Sequence, residues 1–355
     1  MDVLTYTPPW FRRFYSWSYL WLVRRVPWIW SLSYALLDRP VVFRVLQPLR
    51  RRWNLLLARR FVRQLQMDPP HLVIGTHFLS VDVCSAGKRA GWLHAPLVVV
   101  VTDWHPHRFW IVPEAEAFVV ASEEAVAVCR QRGLPSERLH AMGIPIAERP
   151  TASADPRLAR ERVGLKPDLR TVLVTSGGTT VGPFERVVAA LMGLDVLYPG
   201  ALQLLVVCGE DQAAVRRLER RAQRATMPVA VFGWITTMPD AIAAADLMVA
   251  KAGGMTTAEA LAQGVPLILY HAIPGQERHN ARYISRRGAA VLAARPAEVV
   301  RALRRCLDDP ARLELMRQAA ARLGRPHAAA AIVSQVVEPL LKQAWGDTRS
   351  ISDSK

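Results

Sequence analysis

Cysteine is scarce in this 355-residue chain, and the four present (Cys84, Cys129, Cys208, Cys306) stand far apart with no CxxC pair. That spacing excludes a disulfide framework, argues against a structural zinc site and fits a reducing compartment. No unbroken apolar run of about 18 residues occurs; Trp28 to Leu37, the best candidate, is too short to span a bilayer. Met1-Asp2-Val3-Leu4 offers no basic segment leading into an apolar one, so no secretory signal is read. Repeats of solenoid period are missing, and so is any nucleic-acid motif, which leaves nucleic acid out as a partner. Lysine is nearly absent as well: only five of the 46 basic residues, the rest being arginine.

What the chain does have is apolar bulk and positive charge. Apolar residues make up 51% and charged residues 21%, a globular composition of a length that suits about two domains. The formal net charge is +16, and residues 1–70 hold twelve arginines against Asp2, Asp38 and Asp68, a local excess of +9. Such a patch attracts an anionic partner, nucleic acid or the headgroups of a membrane surface. Trp10, Phe14, Trp17, Trp21 and Trp28 share one face of a helix at about 100° per residue, flanked by Arg13, Arg24 and Arg25. Tryptophan with arginine at its margins suits the headgroup boundary of an anionic membrane. The other reading turns these aromatics into the core of their own domain, with Pro27 kinking the helix.

Along the chain, residues 1–70 read as helices after one short strand-like piece, Asp2 to Thr7. Apolar runs then fall at His71–Gly75, Leu97–Thr102, Ala117–Ala121 and Leu139–Gly143. A stretch rich in proline, serine, aspartate and arginine, Glu148 to Arg170, ends this half and holds a linker with a short helix. From Thr171 strands alternate with helices: Thr171–Thr175, Gln203–Cys208, Val229–Phe232, Leu247–Ala250 and Pro266–Tyr270. The alternation predicts a parallel sheet with helices on both faces, whose ligands bind beyond the carboxyl ends of the strands.

Three loops stand at those ends. Ser176-Gly177-Gly178, running on to Pro183, matches neither a Walker A nor a GxGxxG pattern. It suits a phosphate at a helix N-terminus, or else is a tight turn without a ligand. Lys251-Ala252-Gly253-Gly254-Met255-Thr256-Thr257-Ala258-Glu259 repeats the design. Thr256 and Glu259 have capping-box spacing, so Glu259 either caps its own helix or accepts hydrogen bonds from both hydroxyls of a ribose. In Pro274-Gly275-Gln276-Glu277-Arg278-His279-Asn280, Gln276 and Asn280 share a helix face beside a carboxylate. That group suits a polyol, or is a polar helix start of no consequence.

The run Phe232 to Tyr283 resembles the donor half of GT-B glycosyltransferases that use UDP-sugars, and within them the monogalactosyldiacylglycerol synthase and processive diacylglycerol glycosyltransferase family. Asp2-Val3-Leu4, Pro8-Pro9, Thr76-His77, the segment Thr102-Asp103-Trp104-His105-Pro106-His107-Arg108-Phe109-Trp110 and Gly143-Ile144-Pro145 agree with it. The likeness spans about residues 1–325. The related lipid II transferase shares the donor half but not the Thr102–Trp110 segment. The family opens with a strand, a GAGH-like glycine-rich loop and a helix, none of which has a counterpart here; the sequence begins at what resembles the family's second strand.

The resemblance implies an α/β GT-B fold of two Rossmann-like domains with a cleft between them, the N-terminal one incomplete. It divides the chain into an acceptor- and membrane-facing domain (1–147), a linker (148–170) and a UDP-sugar-binding domain (171–325). A helix packing back toward the first domain (326–344) and a flexible tail (345–355) follow. Gly177, Gly178, Gly253 and Gly254 would lie against the diphosphate, with Ser176, Met255 and Thr256 beside them. Glu259 would hold the ribose, and Phe232-Gly233-Trp234 the uracil. Gln276, Glu277 and Asn280 would contact the diphosphate and sugar. Asp103 and His107 are the candidates for base or acceptor positioning. Otherwise Asp103 is a strand-end cap, His105 and His107 are surface residues, and His77 is a structural hydrogen-bonding residue. With no DxD-like pair, neither metal nor cofactor is expected, the UDP-sugar being a substrate.

The expected activity is inverting transfer of a hexose from a UDP-sugar to diacylglycerol at the cytoplasmic face of a membrane. The alternatives are a different lipid acceptor (polyprenyl-linked muramyl peptide or lipid A type) and a catalytically impaired nucleotide-sugar-binding homologue.

Overall fold

A computed structural model describes residues 1–147, 155–178 and 182–344, apart from the side chains of Ser16, Tyr19, Leu20 and Arg24. The expected tail 345–355 and part of the expected linker, 148–154, lie outside the described residues. The chain divides into two compact units: Met1–Pro145 with Pro274–Gln276 and the residues from His327 on, and Ile146–Ile273 with Glu277–Pro326.

The first unit begins with four helices, α1 (Pro9–Arg25), α2 (Pro27–Leu37), α3 (Pro40–Leu57) and α4 (Arg59–Met67). The first three each place a proline at the first helical position, where its missing N–H is no loss. Two expectations change here. Asp2–Thr7 is no strand: Val3–Tyr6 forms a 3-10 turn, because the Asp2 carboxylate accepts the Leu4 N–H at 2.9 Å. Nor does Pro27 merely kink one helix. Val26 leaves the helical region (φ −139°, ψ 59°), α1 ends, and Trp28 belongs to α2.

A parallel sheet follows, β1 (Val73–Gly75), β2 (Leu97–Val100), β3 (Ala117–Val120) and β4 (Leu139–Ala141), in that spatial order. Helices α5 (Phe78–Arg89) and α6 (Glu123–Gln131) connect its strands. Alternation along β2 and β3 supplies two cores. Leu97, Val99, Phe118 and Val120 pack with Phe61, Leu65, Cys84 and Cys129. Val98, Val100, Ala117 and Val119 pack with Ile332, Val336 and Val337 from the last helical segment.

The second unit contains β5 (Arg170–Thr175), β6 (Leu202–Val207), β7 (Val229–Phe232), β8 (Leu247–Ala250), β9 (Leu267–Tyr270) and β10 (Ala290–Ala293). Its helices are α7 (Pro156–Arg162), α8 (Phe184–Met192), α9 (Gln212–Ala222), α10 (Met238–Ala243), α11 (Gly254–Ala262), α12 (Gln276–Arg286), α13 (Pro296–Leu307) and α14 (Pro310–Leu323). The last one, α15 (Ala328–Ile332), belongs to the first unit. β10 was not foreseen, since Ala-Val-Leu-Ala carries no strand pattern of its own and becomes a strand by pairing with β9.

All pairings in this sheet are parallel and the order is β10-β9-β8-β5-β6-β7. The chain starts in the centre at β5, runs outward to β7, then returns to β8 beside β5 and runs outward the other way. The order therefore reverses between β5 and β8, and at such a point the loops leaving neighbouring strands diverge and open a crevice.

Candidate functional site

The two glycine loops foreseen in the sequence leave the two strands that flank this reversal. After β5, Gly177 takes φ +81° and its N–H meets Thr175 Oγ1 at 3.3 Å. The Gly178 carbonyl accepts the Glu210 N–H at 3.1 Å. A Cβ on Gly209 would stand 2.5 Å from that carbonyl, so the loops after β5 and β6 touch backbone to backbone. Ser176 is fully buried beneath the loop. At the end of β7, the Phe232 carbonyl accepts the Cys208 N–H at 2.8 Å, Gly233 packs on Gln212, and Trp234 is 64% exposed.

After β8, Gly253 is the N-cap of α11 and offers no side-chain cap. The first-turn amides of Gly254, Met255 and Thr256 have no acceptor among the described residues, and Met255 is exposed above them. Thr256 therefore lies inside the helix, which removes the capping-box reading of Glu259. That carboxylate, half-buried on the second turn, has no hydrogen bond or ion pair among the described residues, and burial raises its pKa. It is a desolvated acceptor without a donor.

The third group divides. Asn280 is fully buried and its amide donates to the Ala252 carbonyl at 3.0 Å. It anchors the β8–α11 loop, and with no accessible surface it cannot take up the expected contact with diphosphate and sugar. Glu277 accepts the Ile273 N–H at 2.9 Å; burial raises its pKa, opposed by nearby Lys251. Gln276, expected at the donor, belongs by contact to the first unit and donates its side-chain amide to Asp103.

That hydrogen bond lies in a cavity of about 350 Å³ in the first unit. Its apolar walls come from α1 and α2 (Leu22, Trp30, Tyr34) and from Phe78, Phe109 and Trp110, and Asp103 and His77 also face it. His77 caps α5, its Nδ1 accepting the Leu79 N–H at 3.2 Å, which places the proton of the neutral ring on Nε2. Burial lowers its pKa and so favours that neutral form.

His107 is committed at both nitrogens. Nδ1 accepts the Phe109 N–H at 3.2 Å, and Nε2 is 3.1 Å from the Tyr34 carbonyl. Burial drives its pKa down to about 4, so the ring is neutral and donates from Nε2. This buried set of hydrogen bonds corrects its alternative placement at the surface and leaves neither ring nitrogen free to take a proton, so of the expected roles, base or acceptor positioning, it speaks against the first. Asp103 is buried as well and faces the same cavity.

The aromatic stripe of α1 is exposed: Trp10, Phe14, Trp17 and Trp21 by 58, 54, 58 and 45%, and Trp28 on α2 by 65%. The core reading of these residues is therefore wrong. Arg25 is exposed, whereas the Arg24 side chain lies outside the described residues. The inward stripe of α1 is the one set one residue later, with Phe11 buried and Tyr15, Ser18 and Leu22 half-buried, and the last three line the cavity. Its spacing was legible in the sequence beside the louder tryptophans.

A second exposed row, on α3, was not foreseen: Val41, Val45, Leu49, Trp53 and Leu56. Among the described residues no group of His, Cys, Asp and Glu could hold a metal ion, and no helix is long and apolar enough to cross a membrane.

Residues 1–146 match the family model for monogalactosyldiacylglycerol (MGDG) synthase, and residues 171–332 that for the glycosyltransferase family 28 C-terminal domain. The processive diacylglycerol beta-glucosyltransferase of Bacillus cytotoxicus is 31% identical over 281 residues, 79% of this chain and 71% of that protein. Its namesake from Bacillus mycoides is 30% identical over 280 residues, 79% and 70% respectively. Among solved structures, MurG of Acinetobacter baumannii aligns with a TM-score of 0.56 at 17% identity, over 81% of this chain and 80% of that one. S. aureus MnaA with UDP gives 0.59 at 15% identity, over 81% and 80%. At such identities the likeness is one of fold, GT-B-like, with two parallel sheets and their helices.

Proposed function

Because the chain belongs to the monogalactosyldiacylglycerol synthase and processive diacylglycerol glycosyltransferase family, we propose that it moves a hexose from a UDP-sugar to diacylglycerol with inversion. The observation that carries the acceptor side is Asp103, a buried carboxylate held by Gln276 in an apolar cavity. A cavity of this lining suits the glycerol end of a lipid, with one hydroxyl to be deprotonated and two ester-linked chains to be kept from water.

Asp103 takes the proton of the free hydroxyl, and the oxygen attacks the anomeric carbon from the face opposite the diphosphate. The bond from that carbon to the diphosphate oxygen breaks, and its electron pair leaves with UDP. The first-turn amides of Gly254, Met255 and Thr256 offer hydrogen bonds to the departing charge, and the α11 dipole adds to them. Glu259 accepts from the ribose hydroxyls, which supply the donors its carboxylate lacks within the chain.

The protein works as a peripheral enzyme on the cytoplasmic face of an anionic membrane. Support comes from the exposed rows of α1 and α3 and the arginine excess of residues 1–70. Tryptophan at the headgroup level and arginine beside anionic lipid make such binding favourable without a spanning helix.

Incubation with radiolabelled UDP-glucose or UDP-galactose and diacylglycerol vesicles tests the activity. Label in a β-glycosyl diacylglycerol band supports it. Label only in a polyprenyl-linked or lipid A-type acceptor, offered in parallel, moves the assignment to that acceptor.

A further inference from the structure

His271 follows β9 directly and is the one non-glycine residue among those described with a positive φ, at 46°. A histidine in the left-handed region is strained, and such strain persists only where the surroundings hold the residue in place. The partner that holds it is Gly182, at the far end of the β5–α8 loop, itself at φ +80°. A Cβ on Gly182 would stand 2.2 Å from His271 Cδ2 and 2.8 Å from Cγ and Nε2, so that edge of the imidazole lies directly on the glycine.

The topology makes this contact informative. β9 pairs with β8, and β8 pairs with β5. The contact joins the end of β9 to the loop after β5, and between those two strands lies β8, whose exit runs through Lys251 into Gly253 and the first turn of α11. The His271 side chain is exposed, and neither ring nitrogen has a hydrogen-bond partner among the described residues. Nearby Lys251 adds positive charge to the same mouth.

We propose that His271 is a donor-site residue whose imidazole donates a hydrogen bond to a diphosphate oxygen of the bound UDP-sugar, closing over the β8 mouth from the side opposite the α11 amides. The strained backbone keeps the ring over the phosphates, and Gly182 is glycine because a side chain there would occupy the ring's place. This rests on the donor-site reading given above and adds to it a residue that no motif in the chain marks.

The test measures UDP and uridine binding by calorimetry and ligand-observed NMR on the full chain, on His271→Ala and on His271→Gly. The expected result is that both variants bind UDP about tenfold more weakly or worse, while uridine, which lacks the diphosphate, binds all three alike. His271→Gly relieves the left-handed strain, so it keeps the wild-type melting temperature or exceeds it; weaker UDP binding in a chain of undiminished stability cannot come from a damaged fold. Unchanged UDP affinity in the glycine variant, or a parallel fall for uridine, overturns the assignment. If the wild-type chain itself does not bind UDP, the donor-site reading falls first, and the proposal with it.

Discussion

Glu259 and Asp103 are both carboxylates held partly out of water, yet their surroundings give them different tasks. Glu259 has no partner among the described residues, and burial raises its pKa above the ordinary 4.5. The folded chain therefore binds that proton more tightly than the unfolded one. The associated stability is complete below the unfolded pKa and is lost as the pH climbs through the raised folded value. Glu259→Gln, always neutral, should melt higher than wild type at pH 7, with the gap closing below about pH 4.5. The same variant should bind UDP at least about tenfold more weakly, roughly 1.4 kcal/mol, by titration calorimetry. A lower melting temperature and unchanged affinity would return Glu259 to a structural role.

Asp103→Asn should cut transfer to diacylglycerol by roughly 10²- to 10⁴-fold while leaving UDP affinity alone. His107→Ala should act on stability instead. It leaves the Phe109 N–H without its acceptor, which costs about 1–3 kcal/mol in urea unfolding, and takes one of two donors from the Tyr34 carbonyl, which keeps the Asp38 N–H at 3.2 Å; UDP affinity stays at the wild-type level. Which of the two acts as base could not be read from Thr102–Trp110. The proposed choice rests on Tyr34, 73 positions upstream of His107, and local spacing carries no information about that partner.

At the level of elements, α1 carries two stripes offset by one residue, and only packing decides which one faces water. Trp17 and Trp21 stack on each other at 6.1 Å with their outer surface free. The double variant Trp17→Ser/Trp21→Ser should keep the wild-type melting temperature yet lose at least about tenfold in binding to anionic vesicles, read by co-sedimentation. A core stripe would show a large fall in stability instead. Leu49→Ser/Trp53→Ser on α3 should act in the same direction, and raising the salt should weaken what binding remains.

The strands of the second unit were legible because buried parallel strands read as short apolar runs between turns. β10 and the 3-10 turn at Val3–Tyr6 were not, since a neighbour creates the first and a side-chain cap diverts the second.

On the scale of the whole molecule, each unit contains its own buried ion network. In the first, Asp82 is unexposed and meets Arg50 at 3.0 Å and Asn54 at 2.7 Å, tying α5 to α3. In the second, Arg160 bonds the Ala244 carbonyl at 3.0 Å, the Pro167 carbonyl at 2.8 Å and Asp246 at 2.9 Å. Removing one member of such a network leaves buried charge unpaired, at a cost of about 3–5 kcal/mol. Hydrogen exchange should therefore quicken within residues 1–145 in Asp82→Ala, with UDP affinity retained. In Arg160→Ala it should quicken in the second unit, with UDP affinity reduced. Loss of protection in both units from either change would mean that they unfold as one.

The amino-acid sequence by itself determined the alternation of strand and helix, the glycine pairs that stand where the strand order reverses, and the basic, tryptophan-rich start. All of these are local patterns, set by residue type and short-range spacing. Tertiary structure decided which aromatic row is exposed, that Gln276 serves Asp103, that Asn280 is a brace, and that a histidine is bent over Gly182. Those outcomes depend on pairs of residues far apart in the chain, and only the packed backbone brings such pairs within reach of each other.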